Sequence, residues 1–564
     1  MARTAGQAVS ELVFALLLGP AWATAVVGLA RVPHGLYVID IYAEAGPWVW
    51  TAIVANLAAT VTLLHFSPRL SRLAYANLGA LYLFVLAVPY LMGYFAYGRS
   101  DALTIIGSIG GVMRTGNVHP ENLYPATAFV GADLGFATGL PANVVFWVLG
   151  LAASLLLALV LCLFIREAIP SGRPPMAYIL AFVIYAAWLQ STGTPNFVFF
   201  AVAAAAVYCA VALPQAFAGR LFCMMLLGGA VVLGHPFVAV SLFVGFLFLV
   251  FFGHRGTRTD AILTGVFIGI VFAVWAFTNE GLVTAIQRNL DIFQTSATAP
   301  VAQEGAAKAD RLRLDWADWT RFILLYLGRY LVPAAAVGFG FAAAPPRAWF
   351  RSQPAWAWTL LITGALVEAA LLFNPIVTHK AIRVININYA ILGLVPLAAL
   401  GLVWVARGEP GGRAGSTFLC VLVLSTSVLG AFDSPATFLP NAEFGNEEVV
   451  ASRWLLSERG EYSIHNPLGV FEYRTIGLHY DVLSKDNALR PTQAGLLADH
   501  FAEPPRDGRF PFYVAIPTND VVRYTQLYDD LGRFTTADFA ALEDSHRLSR
   551  VYDSLGFTAY FYSR

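Results

Sequence analysis

Between Arg99 and Asn117 the chain places one carboxylate where it would be held at a membrane surface. The stretch follows a long apolar run and reads Arg-Ser-Asp-Ala-Leu-Thr-Ile-Ile-Gly-Ser-Ile-Gly-Gly-Val-Met-Arg-Thr-Gly-Asn. Ala102, Ile105, Ile106, Ile109, Val112 and Met113 recur at helical spacing on one face, with Asp101, Thr104, Ser108, Gly111 and Thr115 on the other. Such a helix lies in the interface with its apolar side down. Ser100 can cap its start and Gly116 can end it. Asp101, in the first turn, can take a proton from a hydroxyl. The simpler alternative is that an acid there only complements the helix dipole. His119, Glu121, the pair Tyr124-Pro125 and Asp133 follow. His119 reads as a surface histidine, because no second His stands at ligand spacing.

Basic residues near apolar runs form the second group. Arg329 lies about ten residues into a run that begins near Thr320, at a depth where a charge costs a few kcal/mol unless paired or hydrated. Lys380 and Arg383 stand in the segment Asn374-Pro-Ile-Val-Thr-His-Lys-Ala-Ile-Arg383. Together these three can hold a phosphate, Arg by its fork and Lys as a point charge; the alternative is snorkelling to lipid headgroups. His235-Pro236 breaks one apolar run and can line the same cavity, or Pro236 can simply start a helix. Glu368 sits inside another run, placed either to pair with Arg329 or to mark a proton path.

The elements that must position these residues are membrane helices. Of 564 residues 58% are hydrophobic and 12% charged, against about 25% charged in soluble domains. Lys+Arg and Asp+Glu are 35 each, so no net field points to nucleic acid. Cys162, Cys209, Cys223 and Cys420 all lie in apolar runs, with no CxxC or Cys/His metal spacing. Apolar runs of about 17–25 residues give about thirteen spans. They centre on 11–30, 47–65, 75–97, 141–165, 176–190, 197–213, 220–234, 237–253, 260–278, 320–343, 355–373, 386–406 and 415–432. Arg69 and Arg72, Arg166 and Arg173, Arg220, Arg255 and Arg258, Arg347 and Arg351, and Arg407 and Arg413 then fall on one side together with Arg3. That side is expected to be cytoplasmic. The long loops 98–140 and 279–319 and the tail from Asp433 fall on the other. The tail has ordinary charge density. Asn446 to Glu458 reads as an amphipathic helix. Val470–Tyr473, Phe512–Ile516 and Phe557–Tyr562 read as strands, the last in a hairpin around Asp553-Ser554-Leu555-Gly556. The fold class expected is a polytopic α-helical membrane protein with a small extracytoplasmic α/β domain, divided as 1–74, 75–432 and 433–564.

A long span, an Asp just past it, an interfacial helix ended by Gly and then Tyr-Pro resemble the first outer loop of GT-C glycosyltransferases. That superfamily uses lipid-linked sugar donors on the extracytoplasmic side. Its seven-helix module begins with the span before this loop, and a long outer loop follows the seventh span. Counted from 75–97, the seventh is 260–278 and the loop 279–319 follows it. The resemblance covers about residues 75 to 319. Two extra spans precede the module, and Ser191-Thr-Gly-Thr-Pro-Asn196 lacks the second acidic motif many members carry, so a divalent metal is not indicated and its need stays open. The resemblance implies transfer of a sugar from a polyprenyl-phospho-sugar donor to an extracytoplasmic glycan, lipid or protein acceptor. In that reading Asp101 is catalytic, and Arg329, Lys380, Arg383, His235, Glu121 and Tyr124 bind substrate. Two other functions fit a chain of this kind: a transporter or flippase, with midplane charges and broken helices, and a non-catalytic assembly protein that uses the tail as a binding module.

Overall fold

The computed structural model describes residues 5–32, 37–99, 101–118, 122, 125–169, 175–185, 187–211, 217–252, 255–279, 315–345, 347–349, 354–372, 389–407, 410–460, 462–467, 477–479, 494–497, 501, 511–527 and 533–563. In chain order the helices of the membrane part are α1 (Ala5–Ala30), α2 (Ile41–Ala45), α3 (Pro47–Phe66), α4 (Ser71–Leu91), α5 (Asp101–Thr115), α6 (Pro125–Thr138), α7 (Ala142–Ala168), α8 (Pro195–Val211), α9 (Phe217–Gly234), α10 (Pro236–Phe252), α11 (Arg255–Thr278), α12 (Trp316–Phe322), α13 (Gly328–Ala343), α14 (Ala355–Leu372), α15 (Ile391–Ala406) and α16 (Pro410–Leu429). Among the described residues, seven helical stretches are long and apolar enough to cross a membrane, and five shorter apolar helices accompany them. Each overlaps one of the expected spans. The chain is a multi-pass membrane protein.

The expected span 176–190 takes a different form. It is two 3₁₀ stretches, Pro175–Phe182 and Ala187–Ser191. Met176, Ala177, Ile179, Leu180, Ala181, Val183, Ile184 and Tyr185 are all buried. Irregular backbone at membrane depth persists only where protein surrounds it and satisfies its polar groups. Side chains do so here: Arg329 donates to the Ile184 carbonyl at 3.3 Å, Tyr330 Oη to that of Tyr185 at 2.7 Å, and Ser154 Oγ to that of Gln190 at 2.8 Å. Apolar content alone does not separate such a segment from an α-helical span.

Between spans, lipid supplies no hydrophobic drive, so small residues and polar contacts hold the bundle. A Cβ on Gly340 would lie 2.4 Å from the Gly401 Cα, so α13 and α15 touch backbone to backbone. Asn77 Nδ2 donates to Asn56 Oδ1 and Thr60 Oγ1, both at 2.7 Å, and Trp22 Nε1 donates to Asn77 Oδ1 at 2.8 Å. These bonds bind α1, α3 and α4 together, and α1 and α3 share the main core with the helices that follow.

The tail carries α17 (Asn446–Glu458), α18 (Thr518–Val522) and α19 (Thr536–Asp544). Its strands, β3 (Ser463–Asn466), β4 (Ala494–Leu496), β5 (Phe512–Pro517), β6 (Leu548–Ser554) and β7 (Phe557–Tyr562), form one sheet in the order β4-β3-β5-β7-β6. β3 runs parallel to β4 and β5, while β7 is antiparallel to β5 and β6. Alternation along β5 sends Ala515 to a core with Ala451, Leu455 and Ile464, and Phe512, Val514 and Ile516 to a second core with Phe534 and Leu542. The helix at 446–458 and the terminal hairpin match the sequence reading. The expected strand Val470–Tyr473 lies outside the described residues, and β3 and β4 were not expected.

Candidate active site

Four features fix Asp101. α4 ends at Leu91, and the chain turns through β1 (Ala96–Tyr97), which pairs antiparallel with β2 (Glu443–Phe444) at the head of the tail. The pairing extends on both sides: Phe95 N–H donates to Phe444 O at 3.1 Å and Gly98 N–H to Ala442 O at 2.8 Å. Gly98 has φ +110°, which a residue with a Cβ adopts only under strain, and it turns the chain into α5. α5 then starts at Asp101.

α5 is amphipathic as its spacing predicts. Ala102, Leu103, Ile105, Ile106, Ile109 and Val112 are buried, while Asp101, Thr104, Ser108 and Gly111 are half-buried. Ala102 to Ile109 share one core with Val145, Phe146 and Leu149 of α7 and with Phe444 and Leu478 of the tail. Gly116, at φ +70°, closes the helix with its N–H on Val112 O at 2.8 Å, as a left-handed C-terminal residue does. The apolar face of the helix thus packs against both the bundle and the tail, and Asp101 is half-buried at its start.

Around the start of α5 is a buried polar junction. The Arg99 guanidinium forks onto Glu448, Nη1 to Oε1 at 2.7 Å and Nη2 to Oε2 at 2.5 Å. It also lies 5.4 Å from the Tyr37 ring centroid and 5.5 Å from that of Phe444. Tyr37 Oη donates to Asn441 O at 2.9 Å, Asn519 Nδ2 donates to Tyr37 Oη at 2.7 Å, and Asn441 Nδ2 donates to Tyr94 Oη at 3.0 Å. Tyr94 Oη donates to Glu44. Burial pushes the Glu443 carboxyl up to about 8, with Glu44 adding to the rise and Arg99 opposing it. Burial pushes Asp520 up to about 7 against the pull of Arg523 and Arg99. None of these partners was legible in the sequence, since Arg99 and Glu448 stand 349 residues apart.

These two acids set a pH dependence. Each keeps its proton in the folded junction after the unfolded chain has lost its own. The native state therefore binds more protons between pH 4 and 8, and stability falls as pH rises across that window. The slope is at most about 1.4 kcal/mol per pH unit for each group. The thermal midpoint of the purified protein should be lower at pH 8 than at pH 6, and Glu443→Gln should flatten the difference. An unchanged slope in that variant would remove Glu443 from the account.

Arg329 does not take the place expected of it. It is fully buried, and its donors go to backbone carbonyls: Nε to Tyr326 O at 2.8 Å, Nη1 to Ile184 O at 3.3 Å, and Nη2 to Gly430 O at 2.7 Å and Leu325 O at 3.4 Å. The Tyr326 ring lies beneath it at 5.0 Å. A π-helical turn at Ile323–Leu327 precedes it, and such a turn displaces carbonyls from their usual partners. Gly430, just past the end of α16, lets the chains close up: a Cβ there would lie 2.0 Å from Leu325 O. The guanidinium is a clamp on three segments rather than an open phosphate site. Among the described residues it also does not pair with Glu368, whose Oε1 has no hydrogen-bond partner among them.

His235 is buried between α9 and α10, and its Nδ1 accepts the Val238 N–H at 3.3 Å. Pro236 begins α10, as the alternative reading had it. Asp133 is exposed on α6. His119, Glu121, Tyr124, Lys380 and Arg383, and most of the loop 279–319, lie outside the described residues.

No protein-family model matches this chain. No curated protein matches it in sequence. Among solved structures, ArnT from Cupriavidus metallidurans in the apo state is similar, with a TM-score of 0.48 and 13% identity over 86% of this chain and 97% of that one. The same protein bound to undecaprenyl phosphate gives 0.46 and 12% over the same shares.

Proposed function

We propose that this protein is a GT-C-like glycosyltransferase that moves a sugar from a polyprenyl-phosphate-linked donor to an acceptor on the extracytoplasmic side. The observation that carries this reading is the position of Asp101, half-buried at the first turn of a helix whose apolar face packs on α7 and on the tail. Asp101 takes the proton of the acceptor hydroxyl as its oxygen bonds to the anomeric carbon. The bond from that carbon to the phosphate oxygen breaks, and its electron pair leaves with the lipid phosphate. Lys380 and Arg383 are the phosphate contacts in this reading. Glu121, Tyr124 and His235 line the donor site. The protein has three parts, 1–74, 75–432 and 433–564, the last being extracytoplasmic.

The direct test is transfer of radiolabelled sugar by purified protein from a panel of polyprenyl-phosphate donors. Failure with every donor would overturn the reading. A transport function would then gain from Glu368, a buried carboxyl inside a span with an unpartnered oxygen.

Orientation has its own test. In a background without the four native cysteines, single cysteines at the exposed positions Thr115 and Ser549 should label with an impermeant thiol reagent on intact cells. One at the exposed position Ala414 should not. Labelling at Ala414 alone would reverse the orientation.

A further inference from the structure

One face of the helix α17 is linked to α5 through two intermediaries, Arg99 just before it and His479 of the tail. Glu448 and Ser452 are four residues apart and so share that face. Glu448 holds Arg99 by two hydrogen bonds, two residues before Asp101. It also accepts the Gly445 N–H at 3.4 Å, which anchors its carboxylate to the start of α17. Ser452 Oγ meets His479 Nε2 at 2.9 Å, with both residues buried.

His479 in turn carries the segment Gly477–His479 onto the middle of α5. A Cβ on Gly107 would lie 1.8 Å from Gly477 O, and one on Gly477 would lie 2.8 Å from Thr104 Oγ1. Leu478 enters the α5 core beside Leu103, Ile105 and Ile106. The chain is therefore gripped just before α5, at Arg99, and again within it at Thr104–Gly107, with Asp101 between. The ion pair is well suited to this, being bidentate and largely withdrawn from water, with 22% and 5% of its side chains exposed.

We infer that Glu448 and Ser452 are positioning residues: through Arg99 and His479 they fix the first turn of α5, so the tail sets the geometry of the reaction at Asp101. This rests on the reading of Asp101 as the base and gives the tail a part in turnover. A carboxylate displaced by about 1 Å from its hydroxyl loses one to two orders of magnitude in rate.

The experiment pairs hydrogen exchange with kinetics on the full-length protein in nanodiscs, for Glu448→Gln, Ser452→Ala and, as an opposite-face control, Val450→Ser. Glu448→Gln should raise amide exchange over 101–107 by about tenfold through local opening. It should lower kcat by about tenfold or more at an unchanged donor KM. Ser452→Ala should shift both in the same direction by less, and Val450→Ser should shift neither. Should Glu448→Gln fail to fold, Ser452→Ala carries the test. Unchanged exchange over 101–107 in the variants overturns the inference, as does a loss of thermal stability with kcat intact. If exchange responds but wild type transfers no sugar from any donor, the grip on α5 stands and the glycosyltransferase reading falls.

Discussion

Asp101→Asn should lower sugar transfer by about 10²-fold or more, the usual scale for removing a positioned base, and leave donor KM nearly unchanged. The amide keeps the shape of the carboxylate and can still accept a hydrogen bond, but it cannot take the proton. The split between kcat and KM matters because an acid that merely complements the α5 dipole would act through stability alone. Losing such a dipole contact costs about 0.3–1 kcal/mol and leaves turnover of the folded enzyme as it was. Transfer of radiolabelled sugar from a polyprenyl-phosphate donor, with folded protein quantified in the same sample, separates the two. Full activity in Asp101→Asn beside active wild type would end the assignment. The grip of the tail sharpens the expectation: a helix held at Arg99 and at Gly107 should change little when one oxygen becomes nitrogen.

Arg329→Gln should show the opposite pattern, a loss of folded protein before any specific loss of phosphate binding. The substitution leaves the carbonyls of Gly430, Ile184 and Tyr326, now joined through one guanidinium, without their donor in a region that water does not reach. A buried acceptor stripped of its partner costs about 1–3 kcal/mol, so about 3 kcal/mol or more is at stake. Arg329→Lys should rescue little, because a single ammonium cannot reproduce a planar fork aimed at three segments. Gly430→Ala should mimic it, since a methyl group there meets Leu325 O. The measurement is the monodisperse fraction of detergent-purified protein against temperature. Should Arg329→Gln keep the wild-type midpoint and lose polyprenyl-phosphate binding, the clamp would be wrong and the phosphate role right.

The clamp also accounts for a charge at this depth. No carboxylate bonds to Arg329 among the described residues. Its charge is met by carbonyl oxygens, the Tyr326 ring and the negative end of α16, whose chain ends in the Gly430 carbonyl. Carbonyl dipoles serve where a buried carboxylate would itself need desolvation.

How much of this the sequence determined follows from how local each signal is. The bilayer fixes span length, and the need to satisfy every backbone amide makes each span a helix. Apolar runs therefore placed twelve helices, each of which overlaps a long or shorter apolar helix of the structure. The 3.6-residue period placed α5 with its buried face and its Gly116 end, and it placed α17 to the residue. Two-residue alternation around Asp553-Ser554-Leu555-Gly556 placed the terminal hairpin. Each of these is set by the environment of one short stretch. Partnership is not. Arg329 and Glu368 both read as lone charges in apolar runs, but one is satisfied by carbonyls 145 and 101 residues away and the other leaves an oxygen bare. The 3₁₀ form of Pro175–Phe182 and Ala187–Ser191 depends on side chains from other elements that cover nearby carbonyls, and a uniformly apolar stretch carries no period to reveal it. The pairing of Arg99 with Glu448 likewise goes with the meeting of β1 and β2, because a charge in sequence marks a need for a partner and the packed chain alone supplies it.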